Sequence, residues 1–172
     1  ISYSDQILTL NNQYALEPIN TGGDVLLYEI APTSNALPSG LLLNATTGQI
    51  SGMPNTIQVQ GSYSIIAKNS GGEQTSMFNV TVNDYPPTMS AYAFEIVEYT
   101  IGSQITDNTV TLGGGAIINL TCSPTLPDGL SLDTTTGKIS GNPTPAAEQS
   151  IANATKTYTV TATNSGGSVS KT

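Results

Sequence analysis

Apolar residues along this chain alternate with polar ones in short runs, the period of strands with one buried face, and nothing in the pattern indicates a helical domain. In residues 1–10, Ile1, Tyr3, Ile7, Leu8 and Leu10 predict an edge strand with a break near Asp5 and Gln6. Residues 25–30 and 117–122 predict a matched pair of strands: Leu26, Tyr28 and Ile30 correspond to Ile118, Leu120 and Cys122 on a core face, and Leu27 and Glu29 to Asn119 and Thr121 on a wet one. In residues 158–163, Tyr158, Val160 and Ala162 face one way and the threonines the other; residues 77–82 place Phe78, Val80 and Val82 inward.

These strands come in two sets, because the chain repeats itself. Leu37-Pro38-Ser39-Gly40-Leu41, followed by Gly48-Gln49-Ile50-Ser51-Gly52-Met53-Pro54, returns as Leu126-Pro127-Asp128-Gly129-Leu130 and Gly137-Lys138-Ile139-Ser140-Gly141-Asn142-Pro143. In each copy two alternating leucines lead to Asn44 or Asp133, which opens a turn that Gly48 or Gly137 closes, and Ile50 or Ile139 points back into the core. Asn69-Ser70-Gly71-Gly72 and Asn164-Ser165-Gly166-Gly167 then supply hairpin-turn chemistry. The expected organisation is all-β, two tandem antiparallel sandwiches over residues 1–84 and 85–172, joined at Asn83-Asp84-Tyr85-Pro86-Pro87.

Composition narrows the function classes. The 172 residues include only four cations, all lysine, and carry a net charge of −8, a field that repels nucleic-acid phosphates and anionic lipid surfaces. No apolar run has the length of a membrane span, so neither nucleic acid nor membrane insertion is expected. The chain does not open with Met, which reads as a processed or partial product. Cys122 has no partner for an internal disulfide and reads as a small core residue; low charge with abundant Ser, Thr and Asn leans toward an extracellular or cell-surface setting.

The repeated signature resembles the immunoglobulin-type repeat, related to cadherin-like sandwiches, found in tandem in large bacterial and protist surface proteins. The resemblance rests on the Leu-Pro-x-Gly-Leu, Thr-Gly-x-Ile-Ser-Gly-x-Pro and Asn-Ser-Gly-Gly motifs, covers nearly the whole chain, and implies stalk, spacer or adhesive roles. One departure stands out. After Gly72 the first copy runs on to complete a strand, whereas after Gly167 only Ser168-Val169-Ser170-Lys171-Thr172 follow. The second sandwich is expected to lack most of its last strand and to expose an acceptor edge at Tyr158, Val160, Ala162 and Val169.

Enzymatic chemistry finds no foothold: there is no His, and neither Glu95 with Glu98 nor Asp128 with Asp133 makes a convincing acid–base pair. No cofactor is expected, with one candidate exception. Asn83 and Asp84 in the joining segment resemble the calcium-ligating linker of cadherin-like repeats, with Asp107 or Asp24 as helpers; the plain alternative is a Pro-stiffened linker. Sequons at Asn44, Asn79, Asn119 and Asn153 fall on predicted turns, loops or wet faces and are candidates for N-linked glycans. The tyrosines could stack on sugars, but Tyr3, Tyr28, Tyr63 and Tyr158 lie on core-facing alternations. The expected function is a non-catalytic structural protein that polymerises with itself head-to-tail, donating Ile1, Tyr3, Ile7, Leu8 and Leu10 into the open second sandwich of a neighbour. A segment of a longer adhesin or stalk and a carbohydrate-binding accessory module are the alternatives.

Overall fold

A computed structural model describes residues 1–145 and 156–172, and every regular element among them is a strand. The chain divides into two compact units, Ile1–Asp84 and Tyr85–Thr172.

In the first unit the strands are β1 (Gln6–Thr9), β2 (Tyr14–Leu16), β3 (Leu27–Ile30), β4 (Leu41–Leu43), β5 (Ile50–Gly52), β6 (Gln58–Asn69) and β7 (Gly72–Asn83). One sheet has the order β1-β7-β6-β3 and the other β2-β5-β4. The alternation in β7 buries Phe78, Val80 and Val82 and leaves Asn79 and Thr81 half-buried on the other face. Between the sheets, Tyr3, Leu8, Tyr28, Leu41, Ile50, Tyr63 and Ile65 close around those three side chains. The ring of Phe78 packs against Tyr3 at 5.2 Å and Tyr63 at 5.9 Å, both tilted.

The second unit contains β8 (Pro87–Met89), β9 (Leu112–Gly114), β10 (Asn119–Ser123), β11 (Leu130–Leu132), β12 (Ile139–Gly141), β13 (Thr159–Asn164) and β14 (Gly167–Lys171). Its largest sheet has the order β10-β13-β14, over a core of Met89, Tyr92, Leu120, Val160 and Ala162.

The repeated signature makes the same turn twice. Asn44 Oδ1 accepts hydrogen bonds from the amides of Thr46 and Thr47, and Asp133 Oδ1 from those of Thr135 and Thr136. Buried hydroxyls then tie each turn to the core: Tyr3 donates to the Gly48 carbonyl at 2.7 Å and Tyr92 to that of Gly137 at 2.8 Å. The Ser-Gly dipeptide has an equally specific cause. Gly52 and Gly141 sit at φ 136° and 133°, and a Cβ on either would stand 2.1 Å from the carbonyl oxygen of Gly40 or Gly129.

Two expectations need correction. Leu26, Ile30 and Ile118 are not core residues but are 71%, 37% and 76% exposed. The ladders begin one residue later, and the amides of Leu26 and Ile118 donate to the carbonyls of Lys68 and Thr163 as each chain enters its strand. Val25 and Ile117 pack against the cores instead. Residues 1–10 also form more than an edge strand: Ser2 bridges to Ile19, the chain breaks at Asp5, and β1 then runs parallel to β7.

Adding a methyl group at Gly52 or Gly141 should therefore cost far more than at Gly72. Gly72 shares the unusual backbone angle, at φ 134°, but has no atom within 4 Å of the added carbon. We expect G52A and G141A each to lose at least about 2 kcal/mol in denaturant melts, and G72A about 1 kcal/mol. Equal losses at all three would show that backbone strain, and not the close strand approach, fixes the motif.

Candidate strand-acceptor site

The internal repeat allows each position of the second unit to be compared with a finished copy of itself. Tyr63 corresponds to Tyr158, Ile65 to Val160 and Ser76 to Lys171, since Ile65 pairs with Ser76 as Val160 pairs with Lys171. On this register β14 stops where β7 goes on to Phe78, Val80 and Val82, which are 2%, 2% and 0% exposed in the first unit.

The consequences appear on the surrounding side chains. Counting on from the equivalent Tyr3 and Tyr92, residues 6–10 correspond to residues 95–99. In the first unit Gln6–Thr9 pair in parallel with Val80–Asn83, and Leu8 is 4% exposed. In the second, residues 95–98 belong to no strand ladder, and Val97 is 41% exposed. Leu41, Ile50 and Tyr63 are buried, whereas Leu130, Ile139 and Tyr158 are only half-buried. These positions belong together physically, because Leu8, Leu41 and Ile50 line one small cavity in company with Phe78 and Val80. Covering three such side chains contributes roughly 1.5–3 kcal/mol each.

The acceptor edge expected at β13 is displaced by this geometry. Val160 and Ala162 are fully buried, and β13 is not an edge, because β10 pairs along one side and β14 along the other. Val169 lies half-buried on β14 against the core. Of the four expected residues only Tyr158 lies outside the strand ladders, and the stretch 95–99, the counterpart of residues 6–10, was not singled out by the alternation of strands. Extending the internal alignment back to residues 6–10 would have found it.

The expected donor segment is likewise committed at home. Tyr3 and Leu8 are buried in their own sandwich, Ile1 and Leu10 pack against the same core, and only Ile7 faces solvent. Asp5 secures the segment by accepting hydrogen bonds from the Asn79 amide at 2.7 Å and its Nδ2 at 3.1 Å, which also holds its carboxyl below the ordinary carboxylate range.

Other candidates lie apart. Asn44 and Asn119 are exposed, Asn79 is half-buried with its Nδ2 on Asp5, and Asn153 lies outside the described residues. Asn83 ends β7, with its carbonyl accepting from the Leu10 amide at 2.8 Å, and Asp84 is buried. Asp107 pairs with Lys138 at 2.8 Å, while Asp24 is exposed. Among the described residues no three His, Cys, Asp or Glu side chains converge as metal ligands would. Glu95, Glu98 and Asp128 are exposed, and the Asp133 carboxylate is engaged in its turn. Tyr3, Tyr28 and Tyr63 are buried and offer no face to a sugar. Burial raises the Cys122 thiol above its ordinary range, which favours the unreactive protonated form.

Comparison with known proteins agrees with this architecture. The family described as "Putative Ig domain" matches residues 1–83 and again residues 82–172, and the chain belongs to that family. It is 30% identical over 140 residues to the "Serine-rich adhesin for platelets" of Staphylococcus aureus, covering 80% of this chain and 6% of the adhesin. The adhesin of the same description from strain MRSA252 is 29% identical over 140 residues, covering 80% of this chain and 10% of the adhesin. The chain thus spans a tenth or less of the length of these relatives. Among solved structures, extracellular domains 3–5 of Drosophila OTK superpose with a TM-score of 0.52 at 14% identity, over 99% of this chain and 57% of that one. The chain is therefore a tandem of two Ig-like sandwiches.

Tyr92, the anchor of the second unit's signature turn, has its hydroxyl pushed up to about 12, chiefly by burial and then by Cys122 nearby. In the unfolded chain the same hydroxyl ionises near about 10. Across that window the unfolded state has released a proton that the folded state still holds, so stability falls as pH rises. Thermal melts between about pH 10 and about pH 12 should show a steeper loss for the native chain than for Y92F; parallel curves would remove this group as the cause.

Proposed function

We propose that this chain is a non-catalytic structural module of an adhesin-type protein displayed outside the cell or on its surface, and that its second sandwich is completed by a strand from a neighbouring polypeptide. The observation behind the second part is a difference in cover: Val97 is 41% exposed where its counterpart Leu8 is 4% exposed. The first part draws on the relatives, which are named as adhesins, and on membership of a family of Ig-like repeats.

Strand sharing of this kind is head-to-tail and need not close on itself, so it builds filaments. The donor is not the resident residues 1–10. Withdrawing Tyr3 and Leu8 would expose two buried side chains, at roughly 1.5–3 kcal/mol each, and would open in the first unit a gap like the one being filled in the second. Asn44 and Asn119 stand on exposed surface where glycans would be accommodated, in keeping with an extracellular glycoprotein. The carbohydrate-binding alternative draws no support from the buried tyrosines.

Antibodies raised against the folded chain should label intact source cells without permeabilisation, with gold particles following thread-like extensions. Labelling that appears only after lysis would refute surface display. A smooth coat without threads would refute the filament and leave the surface module standing.

A further inference from the structure

We infer that the outer face of the β10-β13-β14 sheet is a bed for a covalently attached glycan: an oligosaccharide carried by Asn119 lies across the neighbouring strands and hydrogen-bonds to their hydroxyls. The inference rests on the extracellular reading above and gives one sequon a structural part.

Alternation builds the face. With Leu120, Val160 and Ala162 turned into the core, the intervening positions of the three strands form lateral rows on the outside. Asn119, Thr163 and Ser168 make one row, Thr121, Thr161 and Ser170 the next, and Ser123 with Thr159 the third. Seven of these eight side chains carry a hydroxyl and none is charged. Strand propensity favours threonine on any such surface. The first unit, however, has the same ladders and puts Leu27, Glu29, Ile66, Lys68 and Glu73 at the corresponding positions, where Lys68 pairs with both glutamates. The hydroxyl array therefore belongs to the second unit and not to the fold.

Its chemistry suits a sugar. Each hydroxyl offers one donor and two acceptor sites. Where two are joined, as Thr161 Oγ1 and Ser170 Oγ are at 2.9 Å, acceptor sites remain for a ligand. Threonine sets a methyl group beside its hydroxyl, the same pairing of apolar and polar atoms that a sugar ring presents. A neutral face also has no ion to strip of water when it is covered.

Asn119 supplies the occupant. It heads the sequon Asn119-Leu120-Thr121, is exposed, and stands on the outermost strand β10 at the end of the first row. From there Ser168 is two strand spacings away, roughly 9.5 Å, within reach of a short oligosaccharide. The other described sequons lack this setting. Asn79 has its Nδ2 on Asp5, and Asn44 stands in the signature turn with its Oδ1 held by the Thr46 and Thr47 amides.

Peptide mapping of the native protein should find a glycan on Asn119, and a bare asparagine there overturns the site. The full chain secreted from a eukaryotic host that attaches N-glycans gives the second measurement, with T46A, T81V and T155A removing the other sequons while Asn79 keeps its bond to Asp5. Nuclear Overhauser contacts should join sugar protons to the methyl groups of Thr161 and Thr163. Trimming the glycan to its first N-acetylglucosamine should abolish them and lower the melting temperature by about 2–4 °C. T161E, which places a charge within the face and leaves the sequon intact, should keep Asn119 occupied and cut the contacts at Thr163 by at least about half. S170E, at an exposed position of the same row, should do likewise.

Full and trimmed glycans with the same melting temperature and no contact at either threonine overturn the bed. Contacts unchanged in both charged variants overturn the part played by the hydroxyls. A glycan packed on Thr161 and Thr163, together with cells that antibodies label only after lysis, would keep the bed while refuting surface display.

Discussion

The first unit depends on the β6–β7 hairpin, and above all on the second half of β7. Phe78, Val80 and Val82 are the side chains against which β1, the signature turn and Tyr63 all close, and the same backbone segment pairs in parallel with β1. One strand thus provides both the apolar contacts between the sheets and the hydrogen-bond partner of a neighbouring strand. Its removal costs more than three buried side chains, since the strand beside it loses its pairing as well. In the second unit residues 95–98 form no strand, Val97 is exposed and Ile139 is half-buried.

Local chemistry made much of this legible in the sequence. The turn at Asn44 or Asp133, the glycines of the Ser-Gly dipeptide and the hairpin at Asn-Ser-Gly-Gly are short-range devices whose geometry is set within a few residues, so their residue types declare them. The inward set of β7 was equally plain, because strict alternation over a long strand leaves one choice of face. Strand entries were less so. Leu26 and Ile118 continue an apolar alternation into a position where the backbone has not yet joined its ladder, and periodicity alone cannot tell a ladder residue from the one before it.

What escaped the sequence altogether was pairing between distant segments. Residues 1–10 have the composition of a free strand, and only the three-dimensional arrangement shows Leu8 opposite Val82 and Tyr3 against Phe78. The same limitation misplaced the acceptor edge. Val160 and Ala162 alternate as the buried face of β13, and β14 pairs β13 along the side that was expected to stand open. An edge is a property of what lies beside a strand, and no single strand's pattern records it.

The second unit has a core of its own, with β10, β13 and β14 over Leu120, Val160 and Ala162. Residues 95–98 lie outside its strand ladders with Ile96 90% and Val97 41% exposed, and exposed apolar side chains invite indiscriminate strand pairing. Glu95 and Glu98 flank Ile96 and Val97. Carboxylates at an unpaired edge repel other acidic strands, including those of a chain carrying −8, while attracting a basic one. Gln6 and Thr9, at the corresponding positions of the first unit, are neutral and carry no such repulsion.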